Sequence, residues 1–426
     1  AAGSKYNALI PWFFLNLMVA FYYSRDTKNQ LHGVKYALIF FALTFMIVSP
    51  WYIKNYVLPS NPLYPLFDKV FNPAHHAGGQ AGSTWIHHLF QRRELMYSAF
   101  RSSGAYGPER SHSNEDLTKM VDTTDEWITK RTGIKERRIA AKDETTSDMA
   151  VKAAEKAIER SGLKKSEIDM IVMATISPDY FNMPSTATVV AHKMGLDQVP
   201  AFDISAACTG FVYILGIAKA FIESGMKKNI LIVGSEKMSA ITDYTDRGTC
   251  ILFGDGAGAA VISATENKEE AILDLHIAAD GSLGDFLMTP DGGTGNPHQN
   301  ELKSEASFIQ MKGNETFKIA VRTLTKDVIQ ILADNKLESD AIAHFIPHQA
   351  NYRIIKAVGD ALKMREDQVV LTVHKYGNTS GASIPMASND LNEQGGLKAG
   401  EMMLLDAFGG GRTWGSGLVP VSPLST

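Results

Sequence analysis

Two different hydrophobic patterns divide the chain near residue 95. Before that point, apolar residues form two long runs, Ala8 to Tyr23, interrupted only by Asn16, and Tyr36 to Ile53. Each run is near the minimum length for crossing a bilayer, and the loop between them is positively charged, so the pattern predicts a helical membrane hairpin with a cytoplasmic loop. A pair of buried core helices is the alternative.

Residues that follow the second run resemble a lumen-side motif of polytopic lipid-linked-sugar glycosyltransferases, in the segments Ser49 to Tyr56 and Asn61 to Pro65. A match this short could not carry that chemistry. We therefore hypothesise that residues 1–95 are a membrane-protein remnant joined upstream by gene fusion or sequence misassembly, and that Met96 begins an independent soluble protein. Inner-membrane association is expected only if residues 1–95 are expressed.

Beyond Met96, amphipathic helices alternate with short β-rich runs, which is typical of α/β proteins with mostly parallel strands. Two stretches repeat the same order of elements. The first contains a helix from Ser147 to Ser161, strands Ile168 to Thr175 and Pro200 to Ser205, a helix Gly210 to Ser224, and a strand Asn229 to Ser235. The second contains a helix Asn314 to Ala333, strands Ala341 to Ile346 and Gln368 to Val373, a helix through Asn389, and a strand Met402 to Ala407.

This repetition predicts two copies of one α/β unit, residues 96–266 and 267–426. The offset between them is near 170 positions (378 − 208 = 170), which pairs Cys208 with Asn378. Both residues lie where a strand passes into a helix, so a pseudo-twofold packing would bring them together in one cleft.

Composition limits the possible functions. With 45% hydrophobic and 21% charged residues the chain can form a large core, and a net charge of −4 argues against bulk attraction to nucleic acid. The two cysteines, Cys208 and Cys250, are too few for a disulfide framework, which favours the cytoplasm for the catalytic part.

Cys208 is the first candidate for chemistry. It lies in Ser205-Ala206-Ala207-Cys208-Thr209-Gly210, directly before a strongly apolar and therefore buried helix. The positive end of the helix dipole would lower the thiol pKa and favour the reactive thiolate. Taken alone, an inert core cysteine is the commoner case. Cys250, in an apolar strand-like run, is interpreted as such a residue.

Three further segments supply complementary groups. His348 follows a predicted strand, where open α/β folds bind ligands, and could act as acid, base or hydrogen-bond donor. Asn378 lies in a turn of small residues and could donate through its amide. Gly410 belongs to Phe408-Gly409-Gly410-Gly411, and its backbone amide, with that of Cys208, could form an oxyanion hole.

Other motifs are set aside. Gly254 to Gly258 superficially matches a dinucleotide-binding loop, but a strand-like run follows it instead of a helix, so a tight hairpin turn is expected. The histidine pairs at 75–76 and 87–88 lack metal-ligand spacing, and we predict no metal.

From Met96 to about Val421 the chain resembles the β-ketoacyl-acyl carrier protein synthase III family. The resemblance covers the soluble part and includes the segments already described, together with Asp125 to Ile128, Arg131 to Ile134, Thr245 to Thr249 and Phe253 to Gly258. It implies a thiolase-like fold in a five-layer αβαβα arrangement, a homodimer, and no cofactor beyond thioester substrates.

The same resemblance implies an activity. Cys208 would take an acyl group from CoA, usually acetyl-CoA, and this group would condense with malonyl-acyl carrier protein after loss of carbon dioxide, starting bacterial fatty acid synthesis. His348 and Asn378 would complete the catalytic triad. The remaining residues carried over are the CoA contacts Trp127, Arg131, Thr132, Arg247 and Asn351, the acyl-pocket residue Phe253, and Arg131, Lys318 and Arg353 for the carrier protein.

Two alternatives stay open. A related acyl-CoA-primed, polyketide-type ketosynthase would share the Cys, His and Asn. In a different class, the N-terminal hairpin could anchor a non-catalytic scaffold at a membrane.

Overall fold

The computed structural model describes residues 96–296 and 305–422, together with Lys35 and Ile39. The predicted membrane hairpin and the glycosyltransferase-like segment lie outside the described residues. The chain divides into two compact units, Ala1–Arg93 and Glu94–Thr426. Among the described residues, no helix is both long and apolar enough to cross a membrane.

The larger sheet has five strands in the order β1-β7-β6-β4-β5. Its strands are β1 (Tyr97–Tyr106), β4 (Met170–Ala174), β5 (Ala201–Ile204), β6 (Asn229–Glu236) and β7 (Gly256–Thr265). Strand β4 runs parallel to both β5 and β6. All five residues of β4 are buried, as expected of a central parallel strand covered on both faces.

A second sheet has four strands in the order β11-β12-β13-β8. Its strands are β8 (Asp274–Ala279), β11 (His344–Pro347), β12 (Met402–Gly409) and β13 (Thr413–Pro420). Strands β11 and β12 are parallel, so their carboxyl ends lie at the same edge of the sheet. Two small antiparallel pairs complete the strands: β2 (Ser111–Ser113) with β3 (Glu136–Arg138), and β9 (Leu287–Met288) with β10 (Gln310–Met311).

Ten α-helices accompany the strands of the described chain: α1 (Asn114–Leu117), α2 (Asp125–Thr132), α3 (Thr146–Ser161), α4 (Thr186–Met194), α5 (Gly210–Glu223), α6 (Arg247–Cys250), α7 (Gly313–Asp334), α8 (Tyr352–Ala361), α9 (Val373–Tyr376) and α10 (Ser383–Glu393). Helices α5 and α10 share one apolar cluster with residues of both sheets. Helices α3 and α4 pack on the larger sheet in a second cluster, and α7 and α8 pack on the smaller sheet in a third.

Two local predictions are wrong. The predicted strand Gln368 to Val373 is reduced to an isolated bridge between Val369 and Phe345, since a short helical turn occupies Glu366–Gln368 and helix α9 begins at Val373. The predicted hairpin at Gly254 to Gly258 is absent because Gly256 already starts β7. A Cβ atom on Gly258 would lie 2.6 Å from Cγ of Pro385, so glycine there permits the close approach of α10.

Candidate active site

Cys208 lies in a short 3-10 turn, Ala207–Thr209, that leads into helix α5. Ala207 has a left-handed backbone conformation with φ of 46°, an unfavourable geometry for a residue with a Cβ atom. The turn directs the chain from the end of β5 into the space between the two sheets, and Cys208 is buried. The sequence prediction of a cysteine at a strand-to-helix junction is therefore confirmed in its geometry.

The predicted lowering of the thiol pKa is not found. Burial raises the pKa of Cys208 to about 12, and the carboxyl group of Glu236 acts in the same direction, while the Ser380 hydroxyl opposes both. The loss of hydration destabilises the thiolate more than the nearby helix and hydrogen bonds stabilise it. Cys208 is therefore a protonated thiol at neutral pH in the free protein.

Asn378 begins the turn that faces Cys208 from the other half of the fold. Its carbonyl oxygen Oδ1 accepts a 2.8 Å hydrogen bond from the backbone N–H of Ser380. A 3-10 turn, Ser380–Ala382, follows and leads into helix α10, as the Cys208 turn leads into α5. Ser380 has φ of 49°, which matches Ala207. With Oδ1 occupied, the amide Nδ2 is the group of Asn378 left to donate.

His348 is buried and follows strand β11. Its Nδ1 lies 2.6 Å from the hydroxyl of Ser383, and the same hydroxyl oxygen accepts the N–H of Gln349 at 3.2 Å. We assign the Ser383 proton to the bond with Nδ1, which leaves the ring proton on Nε2. Burial lowers the pKa of His348 to about 3, so the ring is neutral and its Nε2–H can donate.

The glycine loop approaches the backbone of Cys208. A Cβ atom on Gly409 would lie 2.9 Å from the amide nitrogen of Cys208, and one on Gly410 would lie 3.6 Å from Cβ of Ala207. Only a residue without a side chain fits at Gly409. Sequence reasoning selected Gly410, whereas the structure adds Gly409 as the position where the two backbones are closest.

A cleft of about 820 Å³ opens above the thiol, and Cys208, Phe253 and Gly410 all contribute to its lining. Phe253 is buried and forms a β-bridge with Asn378, which connects the predicted acyl pocket to the Asn378 turn. Met238 and Ile309, two lining residues that sequence reasoning missed, make the inner wall apolar. They lie in segments without a recognisable motif.

Three of the residues predicted to contact CoA lie together. The guanidinium carbons of Arg131 and Arg247 lie 4.3 and 4.8 Å from the ring centroid of Trp127, within cation-π distance. The Arg247 side chain also donates to the carbonyl oxygen of Asp122 at 3.0 Å.

Two predicted CoA contacts have structural roles. Thr132 is buried, and its hydroxyl donates to the carbonyl oxygen of Ile128 at 2.8 Å and accepts the N–H of Ile134 at 3.0 Å. Its polar group is therefore already used inside the fold, and its contact with CoA stays a prediction. Asn351 caps helix α8, with Oδ1 accepting the N–H of Arg353 at 2.8 Å.

The residues predicted to contact the carrier protein form an exposed cationic region. Lys318 on α7 and Arg353 on α8 are both exposed, and Arg353 lies 5.0 Å above the ring of Phe317, next to Lys318 in the chain. Arg131 is likewise exposed, on α2. Contacts between α8 and both α2 and α7 place these cations on neighbouring elements.

Sequence reasoning missed Glu236, the last residue of strand β6. Its side chain is completely buried, and burial raises its pKa to about 7, against the effect of hydrogen bonds from Ser177 and other groups. The available signal was a carboxylate directly after a run of buried apolar residues, where an ionisable group needs a specific reason to be present.

Thiolase-like condensing enzymes enclose helices between two sheets. The chain enters each of these helices through a tight turn that carries a side chain of the active site. The fold and the site place the chain in this class.

Comparisons with known proteins are more specific. The family model for 3-oxoacyl-[acyl-carrier-protein (ACP)] synthase III matches residues 202–281, and the model for its C-terminal part matches residues 332–421. A β-ketoacyl-[acyl-carrier-protein] synthase III from Sulfurimonas denitrificans is 72% identical over 331 residues, which is 78% of this chain and 100% of the relative.

Comparison with solved structures indicates the same family. A 3-oxoacyl-[acyl-carrier-protein] synthase III from Aquifex aeolicus superposes with a TM-score of 0.70 at 43% identity, covering 76% of this chain and 99% of that one. The priming β-ketosynthase of the R1128 polyketide pathway gives 0.71 at 33% identity, covering 77% and 97%. The chain belongs to the β-ketoacyl-[acyl-carrier-protein] synthase III family and is an acyltransferase.

Proposed function

We propose that the chain transfers an acyl primer from CoA, most readily acetyl-CoA, to Cys208 and condenses it with malonyl-acyl carrier protein, which starts fatty acid synthesis. The observation that carries this proposal is the contact between two matched turns, Ala207–Thr209, which carries Cys208, and Ser380–Ala382, which follows Asn378. The product is a 3-oxoacyl-acyl carrier protein, and no cofactor takes part.

In the first step, the sulfur of Cys208 attacks the acyl-CoA carbonyl carbon. The thiol loses its proton as the carbon-sulfur bond forms, and CoA leaves and takes up a proton, so atoms balance. The backbone N–H groups of Cys208 and Gly410 hold the tetrahedral oxyanion. The apolar inner wall around Phe253 accepts the acyl chain.

In the second step, malonyl thioester loses carbon dioxide, and the electron pair of the broken carbon-carbon bond forms an enolate. Nε2–H of His348 and the Nδ2 amide of Asn378 donate to the enolate oxygen. The enolate carbon then attacks the acyl carbon on Cys208, and the sulfur leaves. Both donors are neutral, because a pKa of about 3 leaves the His348 ring without the second proton of an imidazolium at neutral pH.

Substrate recognition is assigned to the surface around the cleft. Trp127 and Arg247 sandwich the CoA adenine, with Arg131 beside them, and Asn351 lies along the pantetheine arm. Arg131, Lys318 and Arg353 attract the acidic carrier protein. We further propose that residues 96–266 and 267–426 are two copies of one unit in an αβαβα arrangement, separate from residues 1–95, and that the enzyme is a cytoplasmic homodimer.

Transfer of radiolabelled acetyl groups from acetyl-CoA to Cys208 tests the proposal, with the labelled peptide identified after digestion. Label on the peptide containing Cys208, and its discharge by malonyl-acyl carrier protein, are expected. The polyketide-type alternative, represented among the solved structures by the R1128 priming enzyme, predicts preference for longer acyl-CoAs, which are tested in parallel. No label with any acyl-CoA would contradict both functions.

A further inference from the structure

Glu236 joins the segments that surround Cys208. Its carboxyl oxygens accept hydrogen bonds from the hydroxyl of Thr175 at 3.1 Å, from the N–H of Ile176 at 3.1 Å, and from the N–H and hydroxyl of Ser177 at 3.1 and 2.5 Å. Thr175 and Ile176 line the same cleft as Cys208. The carboxyl group therefore fixes one wall of the site from behind.

Glu236 also faces the turn that follows Asn378. A Cβ atom on Gly381 would lie 3.7 Å from Oε1 of Glu236 and 3.4 Å from the carbonyl oxygen of Ala207. The neighbouring Ser380 hydroxyl is fully buried and makes no hydrogen bond of ordinary geometry within the described part of the chain. It lies near enough to act on both the Cys208 thiol and the Glu236 carboxyl group.

We propose that Glu236 is a positioning residue for the nucleophile: its carboxyl group holds the segment Thr175–Ser177 of the cleft wall beside the Gly381 turn that faces Cys208, and its charge opposes formation of the Cys208 thiolate. This inference rests on the proposed function, in which Cys208 receives the primer. It assigns a role to a carboxyl group that touches neither substrate nor the reacting carbon atoms.

Electrostatics support the coupling. Burial is the main cause of the raised Cys208 pKa, and the field of the Glu236 carboxyl group adds to it. Burial also raises the pKa of Glu236 to about 7. A buried carboxylate and a buried thiolate repel strongly because little water screens them, so formation of the thiolate favours protonation of Glu236.

Other ionisable groups packed around the site are neutral or have hydrogen-bond partners away from Cys208. His348 is neutral, as described above. Asp203 on β5 accepts the N–H groups of α4, Asp255 accepts those of residues 140 and 239, and the ammonium of Lys237 donates to carbonyl oxygens of residues 141–144. Glu236 is thus the group whose charge can be removed to test its effect on Cys208.

Alkylation of Cys208 by iodoacetamide reports its thiolate fraction, and mass spectrometry of the digested protein separates Cys208 from Cys250. In Glu236→Gln, which keeps the shape of the side chain but removes its charge, we expect Cys208 at pH 8.5 to react roughly tenfold faster than in wild type. Glu236→Asp retains the charge and is the control, with a rate within about threefold of wild type. A merely structural role would slow or leave unchanged the reaction of both variants.

Equal rates in wild type and a folded Glu236→Gln variant would overturn the proposal. If that variant does not fold, the pH dependence of wild-type Cys208 alkylation provides the second test, because ionisation of Glu236 near pH 7 should hold the rise in rate between pH 6 and 8 below about tenfold per pH unit. A full tenfold rise per unit across that range would also overturn the proposal. Wild-type acylation by acetyl-CoA is measured separately, so its absence would contradict the proposed function without affecting the alkylation comparison.

Discussion

His348 and Cys208 are both uncharged in the folded protein, and burial is the main reason in each case. This distinguishes the site from one in which an imidazolium stabilises a cysteine thiolate as an ion pair. The thiol has to lose its proton during attack on the thioester rather than before it. In the proposed reaction the histidine is a neutral donor, which requires that Ser383 keep Nδ1 unprotonated.

The low pKa of His348 predicts a loss of stability in acid. Because the folded protein holds the pKa at about 3 while the unfolded ring has an ordinary value of 6.5, stability is fully present above pH 6.5 and decreases as pH falls toward 3. Relative to His348→Gln, the wild-type free energy of unfolding should fall by about 1 kcal/mol per pH unit below pH 6. Urea denaturation of both proteins from pH 7 to pH 4.5 measures this difference. Parallel curves would contradict the assignment of a neutral buried ring.

Replacing either cysteine by alanine separates their roles. Cys208→Ala should abolish acyl transfer and condensation while retaining malonyl decarboxylation, because His348 and Asn378 remain in place. Cys250→Ala, the matched control, should keep acyl transfer within about threefold, since Cys250 lies outside the cleft lining. Release of labelled carbon dioxide and transfer of labelled acetyl groups measure the two activities. Loss of transfer in Cys250→Ala alone would reverse the assignment.

At the scale of elements, the positions of glycines explain how the end of β12 and the turn before α10 approach the turn that carries the Cys208 thiol. Gly409 at the end of β12 passes the backbone of Cys208, and Gly381 passes the carbonyl group of Ala207. The matched turns also change the predicted offset between the two repeated stretches from 170 to 173 positions, because helices α5 and α10 begin at Gly210 and Ser383 (383 − 210 = 173). With this offset Cys208 corresponds to Gly381. Asn378 lies three residues before Gly381.

Gly409→Ala should damage the site by local crowding. The added Cβ atom would lie 2.9 Å from the Cys208 amide nitrogen and 2.9 Å from the Thr413 hydroxyl, so the backbone that we propose as the oxyanion hole has to shift. We expect kcat for condensation to fall at least tenfold and stability to fall by about 1–3 kcal/mol. Gly281→Ala is the control, since nothing lies within 4 Å of its added atom. Thermal denaturation and steady-state kinetics test both variants, and equal behaviour would contradict the crowding.

Sequence patterns predicted most elements because the apolar runs coincide with buried strands, as in β4 and β6, and the helix signals coincide with caps, as at Thr145 and Gly162 of α3. They failed where tertiary contacts decide the outcome. The run from Gln368 to Val373 has strand composition, but only Val369 pairs with a neighbour. The signal at Glu236, a carboxylate after an apolar run, did not reveal its role for the same reason, because that role depends on donors about 60 positions away.

At the scale of the whole molecule, the enzyme combines a net negative charge with a local cationic surface on neighbouring helices. Its overall field does not attract an acidic carrier protein, so approach depends on the cations at the point of contact. Lys318 and Arg353 lie on neighbouring helices, with the Phe317 ring beneath Arg353. This arrangement leaves both charges exposed while it fixes one side chain against an apolar surface.

Charge reversal on this surface should therefore affect one substrate only. Lys318→Glu and Arg353→Glu are each expected to raise KM for malonyl-acyl carrier protein by roughly three- to tenfold, because rim charges govern encounter with a charged partner. The KM for acetyl-CoA and the labelling of Cys208 should stay near wild type. Lys268→Glu, an exposed lysine in the turn after β7, makes the same charge change elsewhere on the surface and should leave both constants unchanged.

Raising the ionic strength should weaken the wild-type interaction and reduce the difference between wild type and variants, because salt screens exposed charges. Equal effects of all three substitutions would show that the carrier protein responds to net charge rather than to the surface formed by α7 and α8.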